Sequence, residues 1–563
     1  MRLAFFDKLK QPRYSWWVDC LFLIVTLSAL FFIMLGSRPL FVPDEGRYAE
    51  IAREMLASHD FITPHLNNIT YFEKPALFYW LTAATIKMGG LNLWSVRSVN
   101  GILGLLGCLL TYAATRKLYD RATGLLAAFI LATSVLYFLM THMVSLDLPV
   151  TVFIAACLYA FLIASKTTND NKRRYYMWGA AAASALAVLT KGLIGLLLPG
   201  LVVFVFLTFT NEWRNLKAYF LPSSLLIFLI IALPWHLLVG SRNPEFYYFY
   251  FIEQHFLRYT TKEIGHYQPV WFFIPVLLVG FFPWIIFLPQ ALWQALNTSW
   301  QRRKERSKEY FLFFWAVLIF VFFSFSKSKL IPYILPVFPP LAILTARYLA
   351  HLLKASTHKG LRCAASIISL IALTALSAAY FYTQQEALPD NQAAQFYLVL
   401  ASLSLFIGAL LAAISASKNK AGSLTYLIAS MACFLLLALA AFPGVDNRTV
   451  KPLANIVKAR LQPGDDVITY NQYFQDLPFY LERPVTILNW QNELTFGMRH
   501  QNTQDWMIGN KTFWQRFLSK RRVYVVISKE EFEKLKKRHP VNYFYVGGET
   551  INTVLISNRR FNR

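Results

Sequence analysis

The chain is dominated by apolar runs of about 20 residues, the length that an α-helix needs to cross the hydrocarbon core of a bilayer. Such runs begin near residues 18, 77, 98, 122, 148, 175, 193, 218, 269, 310, 330, 363, 395 and 422. A soluble protein of 563 residues would not repeat this pattern and would carry more than 15% charged residues. The sequence therefore predicts a mainly α-helical, polytopic membrane protein.

The basic residues between these runs predict the topology. Lys and Arg are enriched in loops on the cytoplasmic side, yet several basic turns, among them Arg116 to Arg121, would face outside if all fourteen runs spanned. The run at 77–90 is the weakest candidate, because about 14 residues flanked by Pro75 favour an interfacial helix. Excluding it leaves about thirteen spans and a cytoplasmic N-terminus, and places residues 37–96 and everything from 443 onward outside.

The net charge of +25 could indicate nucleic-acid binding. However, the basic residues cluster in the short turns between spans, as expected of loops that fix topology, so we predict no nucleic-acid partner. All five cysteines lie in apolar segments, without a second Cys or a His at metal-ligand spacing, and are expected to be inert.

The composition changes at residue 443. Short β-rich runs such as Val523 to Ser528 and Thr553 to Ile556 alternate with helical stretches such as Glu530 to Arg538. This alternation predicts a small α/β domain. We therefore expect two domains, a transmembrane domain over 1–442 with its large first outer loop at 37–96, and an outer domain over 443–563.

The first outer loop opens with the sequence PDEGRYAE, which places Asp44 and Glu45 just beyond a span. Two adjacent carboxylates are costly there unless they are solvated or paired. They suit the first turn of a helix, because the macrodipole favours negative charge at that end. A catalytic or metal-binding role is the alternative, and the residues alone leave both open.

The same loop continues with Glu73 and Lys74 in the sequence YFEKP. One interpretation is an interfacial anchor with a snorkelling lysine. The other makes Glu73 a metal ligand or base and Lys74 a phosphate contact.

Further charged residues lie at outer helix ends. Asp147 begins a span, where a lone carboxylate indicates function, although it could cap the helix. Lys191, Lys327 and Lys329 could each snorkel, but several lysines on one face together with carboxylates favour an anion site. The loop after the seventh span contains a further polar group: Glu253, His255, Arg258, Lys262, Glu263 and His266. These histidines could be structural or could bind a ligand.

The sequence has no Walker loop, dinucleotide-binding glycine pattern, cysteine-pair zinc motif or Gly-x-Ser-x-Gly elbow. Nucleotide hydrolysis and serine chemistry therefore have no support. A transporter of lipid-linked anions is the main rival to an enzyme, but its internal repeats are not seen. A structural subunit of a polymer-assembly system would not need the carboxylate pairs.

Several motifs occur in order between about residues 40 and 350: PDEGRYAEIAREMLAS, YFEKPALFYW, the turn at Asp147, LTKG, EQHFLRY, GHYQPVWFFIPVLLVGFFPW and SKSKLIPYILPVFPPLA. Together they resemble the bacterial 4-amino-4-deoxy-L-arabinose lipid A transferases. That family is part of the dolichyl-phosphate-mannose protein mannosyltransferase superfamily of C-type glycosyltransferases. One local departure is Gln254 before His255, where relatives often have an acidic residue.

The resemblance implies a membrane-embedded transferase of the inner membrane that works on the periplasmic face. Its donor would be undecaprenyl-phosphate-linked aminoarabinose and its acceptor a lipid A phosphate. A related transfer with another sugar, or with another lipid, glycan or protein acceptor, is the alternative.

The resemblance also implies roles for individual residues. Asp44 corresponds to the principal catalytic carboxylate, with Glu45 beside it and Asp147 as a second acid of the cavity. Glu73 and His255 correspond to ligands of a possible divalent metal, zinc or magnesium. The implied donor-phosphate contacts are Arg47, Lys74, Arg258 and Tyr333. The lysines at outer helix ends, Lys191 and Lys329, would add to this anion site.

The chemistry of the acceptor decides what Asp44 has to do. A phosphate acceptor is already ionised at neutral pH and needs little general-base help, so Asp44 would orient groups or stabilise positive charge at the sugar carbon. A hydroxyl acceptor would make Asp44 a true base. The sequence leaves both possibilities open.

Overall fold

The computed structural model describes residues 12–213, 216–261, 265–384, 392–442, 448–539 and 543–561. Four features of the sequence predictions lie outside these residues: the first 11 residues of the predicted cytoplasmic N-terminus, Lys262, Glu263, and residues 443–447 at the predicted domain boundary. The chain forms two compact units. The first, here the helical unit, comprises Met1–Leu35, Asn100–His142 and Leu146–Ala441. The second, the mixed unit, comprises Gly36–Val99, Met143–Ser145 and Phe442–Arg563.

Long apolar helices follow the predicted runs. Among the described residues, nine are long and apolar enough to cross a membrane: Ser15–Phe32, Leu93–Leu118, Asp147–Ser165, Pro222–Arg242, Ser307–Phe325, Ile331–Lys354, Lys359–Phe381, Gln392–Ser415 and Lys420–Ala441. The last two of these pack tightly against each other through small residues. Adding a Cβ to Gly408, for example, would bring it within 2.1 Å of the Ser430 Cβ.

The remaining predicted spans have interrupted or shorter helices. Arg121–Ala132 and Val135–Thr141 form a pair bent by 69°, and Val270–Gly280 and Trp284–Leu296 form a pair bent by 104°. The other two predicted spans correspond to the helices Asp170–Lys191 and Ile194–Thr210. Each of the thirteen predicted spans thus falls on one helix or one bent pair of the described chain.

The apolar run at 77–90 behaves differently from these. It forms the helix Leu77–Gly89, which has 13 residues. A helix needs about 20 residues to cross a bilayer, so this one is too short to span, as the sequence predicts.

The mixed unit contains a six-stranded sheet in the order β5-β4-β3-β6-β8-β7 and a separate hairpin, β1-β2. The strands are β1 His65–Leu66, β2 Ile69–Thr70, β3 Asp466–Tyr470, β4 Thr486–Leu488, β5 Met507–Ile508, β6 Val523–Ser528, β7 Tyr545–Glu549 and β8 Thr553–Ser557. Strands β3 to β6 pair in parallel, with Ile468 opposite Thr486 and Val525, and β8 pairs antiparallel with β6. The predicted α/β fold of the C-terminal region is confirmed.

The mixed unit also contains the helices Asp44–Ser58, Leu77–Gly89, Lys451–Lys458, Leu477–Leu481, Thr495–His500, Asn510–Phe517 and Lys529–Arg538. The central strands β3 and β6 are buried on both faces, as is usual for parallel strands. Their Val and Ile side chains pack with Phe513, Phe517 and Phe532 from the covering helices.

The first outer loop packs against the C-terminal region within the mixed unit. The Leu40 N–H donates to the Tyr480 hydroxyl at 2.9 Å. The Asn67 side chain exchanges two hydrogen bonds of 2.8 Å with the backbone of Val485. The sequence predictions grouped residues 37–96 with the transmembrane spans, whereas the structure groups them with 442–563 in one compact unit.

Candidate active site

The helix Asp44–Ser58, here the loop helix, places its two first carboxylates in opposite environments. The Glu45 side chain is fully buried and accepts hydrogen bonds from Arg38 at 2.6 Å and from Arg97 at 2.9 Å. It also accepts the backbone N–H groups of Phe41 and Val144, each at 2.8 Å. Burial alone would raise the pKa of Glu45, but the two guanidinium groups hold it well below its usual range. Every Glu45 oxygen is thus already occupied by this protein's own donors.

Asp44 has a different environment, although it is the adjacent residue. Its side chain is 46% exposed, and the closest cation is Arg47 at 3.6 Å. Pro43 is the N-cap residue and contributes no side-chain bond, so Asp44 is the first helical residue rather than the cap. Successive helical residues point about 100° apart, which separates the two carboxylates. Asp44 is the one that a substrate can reach.

Arg47 is the centre of a buried polar cluster, here the Arg47 cluster. Its guanidinium pairs with Glu493. Its Nε and the hydroxyls of Tyr71 and Tyr79 are buried without a hydrogen-bond partner among the described residues. Burial raises the pKa of both tyrosines, so they stay protonated as donors. Buried groups of this kind are rare, and a polar ligand would satisfy them.

Glu73 and Lys74 lie next to this cluster. The charge of Glu73 contributes to the raised pKa of Tyr71 and of Tyr79. Lys74 donates to the backbone carbonyl of Glu73 at 2.8 Å. The first outer loop thus brings Asp44, Arg47, Glu73 and the two tyrosines into one region of the mixed unit.

Glu493 is a site residue that the sequence predictions missed. It lies in the C-terminal region, pairs with Arg47 and accepts a hydrogen bond of 2.9 Å from Gln475. Burial raises its pKa, while Arg47 acts in the opposite direction. No motif around Glu493 separates it from the other acids of that domain, so only the folded structure identifies it.

A second set of predicted residues meets in the helical unit. Asp147 is the first residue of Asp147–Ser165, and its carboxylate pairs with Lys191 at the end of Asp170–Lys191. The ammonium group of Lys191 also lies 4.2 Å from the centre of the Tyr333 ring. Leu146 occupies the N-cap position, so Asp147 does not cap the helix.

His255 lies on a π-helix, Tyr248–Leu257, instead of in a plain loop. Its Nδ1–H donates to the Tyr250 carbonyl at 2.6 Å, and its Nε2 accepts the Leu193 N–H at 3.2 Å. Gly192 has a φ of +84°, and a Cβ there would lie 2.0 Å from His255 Nε2. Only glycine allows this approach of the backbone to the imidazole.

Lys329 and Arg258 hold local structure. The ammonium group of Lys329 is nearly buried and donates to the carbonyls of Gln268 at 2.7 Å and Ser326 at 2.5 Å. Arg258 donates to the Gln254 side chain at 3.0 Å. The glutamine that departs from the family pattern is therefore a partner of Arg258.

The predicted metal ligands do not form a ready metal site. In the described part of the chain no three His, Cys, Asp or Glu side chains are grouped to hold an ion. Glu73 belongs to the mixed unit and His255 to the helical unit. Both ring nitrogens of His255 already have hydrogen-bond partners. The metal role of these two residues stays a prediction.

Two family models match the chain. Residues 16–250 match the dolichyl-phosphate-mannose-protein mannosyltransferase model, and residues 453–557 match the aminoarabinose transferase C-terminal domain model. The fold is that of a membrane-embedded C-type glycosyltransferase, and the protein is a glycosyltransferase by class.

Individual relatives narrow this class. An undecaprenyl phosphate-α-4-amino-4-deoxy-L-arabinose arabinosyl transferase of Pectobacterium carotovorum is 30% identical over 89% of this chain and 90% of its own length. A relative of the same description from Proteus mirabilis is 36% identical over 67% of this chain and 68% of its own. The crystal structure of ArnT from Cupriavidus metallidurans bound to undecaprenyl phosphate superposes with a TM-score of 0.86 at 28% identity, covering 96% of this chain and 98% of that one. The chain belongs to the family of undecaprenyl phosphate-aminoarabinose arabinosyl transferases.

Proposed function

We propose that this protein transfers 4-amino-4-deoxy-L-arabinose from undecaprenyl phosphate to a phosphate group of lipid A, on the periplasmic face of the inner membrane. Family membership supports the donor and the sugar. The main structural support for the proposed chemistry is the difference between the two carboxylates at the start of the loop helix. Glu45 is fully occupied by two arginines, whereas Asp44 is accessible and lies beside the Arg47 cluster.

The reaction breaks one bond and forms another at the same carbon. The bond between the anomeric carbon and the oxygen of undecaprenyl phosphate breaks, and the departing phosphate keeps the electron pair. An oxygen of the acceptor phosphate forms the new bond to that carbon. Because this acceptor is already an anion, no proton has to be removed, and the protein's task is to orient groups and stabilise charge.

Asp44 is suited to stabilise the positive charge that develops at the sugar carbon. Its carboxylate is close enough to Arg47 to be held in place, at 3.6 Å, but forms no hydrogen bond with the described residues. The hydroxyls of Tyr71 and Tyr79 can donate to the sugar, since they have no other partner in the described chain. Glu45 acts as a positioning residue that fixes the first turn of the loop helix.

Positively charged side chains are needed to stabilise the leaving group, because it is a lipid phosphate. Lys74 beside Glu73 is our proposed contact to the donor phosphate. In the helical unit, Lys191 is held between Asp147 and the Tyr333 ring, which orients a positive charge at a helix end. For Arg258 and Lys329 the anion-binding role stays a prediction, since Arg258 donates to Gln254 and Lys329 donates to two backbone carbonyls.

The proposed side of the membrane follows from the positions of the basic turns. It requires both the first outer loop and the C-terminal region to be periplasmic. A reporter that is active only in the periplasm, fused after residue 450, should be active. A reporter that functions only in the cytoplasm should be inactive at the same position, and activity there would contradict the proposed orientation.

Mass spectrometry of lipid A tests the proposed function. Cells that produce this protein together with the aminoarabinose donor should carry lipid A with added aminoarabinose. Cells without the protein, or with the Asp44→Asn variant inserted at the same level, should lack it. Unmodified lipid A in the presence of the wild-type protein and an adequate donor pool would contradict the proposal.

A further inference from the structure

A cavity lies in the mixed unit and shares no residue with the Arg47 cluster. It has a volume of about 390 Å³ and is formed by the turn before the helix Leu93–Leu118 together with the helices Lys451–Lys458 and Leu477–Leu481. This volume falls within the range of ~300–1,000 Å³ that is typical of small-molecule sites.

The lining of the cavity is basic. The ammonium group of Lys451 lies 5.9 Å from the centre of the Tyr480 ring, and no acidic residue of the described chain pairs with it. Lys458 also lines the cavity and pairs with Glu482 at 2.5 Å, in a half-exposed ion pair. Two lysines against one glutamate give the lining a net positive charge, which favours an anionic ligand.

Polar and aromatic groups accompany this charge. The exposed side chain of Asn455 offers both a donor and an acceptor. Trp94 and Tyr480 contribute aromatic rings, and Trp94 is 48% exposed. Lysine, amide and aromatic groups in one concave site match the three parts of a phosphorylated sugar: the phosphate, the hydroxyls and the apolar C–H face.

The cavity is also lined by the first residues of a helix that is long and apolar enough to cross a membrane. Trp94 is the second residue of Leu93–Leu118, one of the membrane-spanning helices, and tryptophan is enriched at the level of the lipid headgroups. Just before it, Met88 is 87% exposed, at the end of the non-spanning helix Leu77–Gly89. A lipid in the membrane could therefore place its headgroup in the cavity while its acyl chains stay in the bilayer.

We infer that this cavity binds the phosphorylated sugar headgroup of a membrane lipid, with Lys451 contacting the phosphate and Asn455 a sugar hydroxyl. In the transfer reaction it holds part of the acceptor headgroup, and this second statement rests on the proposed function. The cavity would thus select the acceptor, while the Arg47 cluster receives the donor sugar.

Binding to the full-length protein in nanodiscs of zwitterionic lipid tests the inference, with a phosphorylated diglucosamine lipid as the probe. The Lys451→Glu variant should bind this lipid about 10-fold more weakly than wild type, since it replaces one charge-assisted contact by a repulsion. Lys511→Glu makes the same charge change at an exposed position of the same unit and should bind like wild type. Equal affinity in all three proteins would overturn the inference.

A competition experiment and a second variant test the ligand selectivity and the role of the Lys451 charge. Glucosamine 1-phosphate should compete with the lipid probe, and phosphatidylglycerol should not; equal competition by phosphatidylglycerol would overturn the sugar selectivity. If Lys451→Glu does not fold, Lys451→Met removes only the charge and should still weaken binding, and wild-type affinity in that variant would overturn the inference.

Kinetics separate this inference from the proposed function. In the transfer assay the Lys451→Glu variant should show an acceptor KM raised about 10-fold, with kcat and the donor KM unchanged. An unchanged acceptor KM in an active enzyme would overturn the acceptor role alone. If the wild type transfers nothing, the proposed function fails, and the nanodisc measurement still decides whether the cavity binds the lipid.

Discussion

The charged residues of the two units are stabilised in different ways. In the helical unit, Asp147 and Lys191 pair at helix ends that lie 44 residues apart in the chain. In the mixed unit, Arg47 of the first outer loop pairs with Glu493 of the C-terminal region, which lies more than 400 positions away in the chain. The Asp147–Lys191 pair thus depends on the packing of helices within one unit, whereas the Arg47–Glu493 pair forms only when the first outer loop and the C-terminal region fold together.

Within the mixed unit, the adjacent residues Glu45 and Asp44 have separate tasks. Glu45 is ionised and paired with two arginines, and it accepts backbone hydrogen bonds, which fixes the backbone around Asp44. Asp44 has no such network and remains accessible. A buried ion cluster next to one accessible carboxylate is the arrangement that preorganised catalysis requires.

The largest expected effect is on stability, from Glu45→Gln. The substitution leaves Arg38 and Arg97 buried without their carboxylate, and breaking a buried ion pair in this way costs about 3–5 kcal/mol. Thermal unfolding in lipid should therefore show a clearly lower melting temperature. Glu530→Gln, at an exposed ion pair on the surface of the mixed unit, is the matched control and should melt like wild type. Wild-type melting of Glu45→Gln would show that the cluster does not hold the loop helix.

Asp44→Asn should have the next largest effect, and on rate rather than on stability. Loss of one well-placed charge commonly reduces kcat by a factor of about 10². The melting temperature should not change, because Asp44 is half-exposed and is not the cap of its helix. The transfer rate and the melting curve are measured on the same preparation. Near-normal turnover would show that Asp44 takes no part in catalysis and only interacts with the dipole of its helix.

Gly46→Ala tests the packing of the first loop against the C-terminal region. A Cβ at Gly46 would lie 2.6 Å from the backbone nitrogen of Asp476, so one of the two segments has to move. Overpacking of this kind costs about 1–3 kcal/mol.

Gly179→Ala provides the matched comparison in the helical unit. Gly179 is also inside a helix, but a Cβ there meets nothing within 4 Å. Alanine should stabilise that helix by about 0.5–1 kcal/mol. Denaturation should therefore show opposite signs for the two variants, and the same sign for both would argue against tight packing at Gly46.

The smallest expected effect is a pH dependence within the mixed unit. Burial and the neighbouring Glu50 carboxylate raise the pKa of Glu54 well above its usual value. The stability that this group contributes is therefore fully present below its unfolded pKa of about 4.3 and is lost as the pH rises through the folded-state pKa.

Glu54→Gln removes this titration. The destabilisation caused by the substitution should accordingly be greatest near pH 4–5 and should shrink as the pH rises. Unfolding by denaturant at several pH values measures this trend. Glu533→Gln, at an exposed position, should show no such trend. If the destabilisation caused by Glu54→Gln instead grew with pH, the pKa of Glu54 in the folded protein would not be raised, and the prediction would be wrong.

The sequence predicts those parts of this protein that depend on local patterns. The spans follow from hydropathy, the strands Val523–Ser528 and Thr553–Ser557 from β-branched runs, and the positions of Asp147 and Lys191 at helix ends from the limits of the apolar runs. That these two residues pair is visible only in the structure. The short helix Leu77–Gly89 follows from its length.

The parts that could not be predicted depend on long-range contacts. The partners of Glu45 come from residues 38, 97 and 144, and nothing local separates its role from that of Asp44. Glu493 reaches Arg47 only after the C-terminal region has folded. The π-helix around His255, with its stacked rings of Phe246 and Tyr250, has no counterpart in the hydrophobic periodicity.

The most direct test of the central claim is the stoichiometry of the reaction catalysed by the purified protein in lipid. The protein is supplied with undecaprenyl-phosphate-aminoarabinose and lipid A, and both products are quantified over time. We predict that one undecaprenyl phosphate is released for each aminoarabinose that appears on lipid A, and that omitting lipid A stops release. Release of undecaprenyl phosphate without a modified lipid A, or no consumption of the donor by the folded wild-type protein, would contradict a transferase acting on a phosphate acceptor.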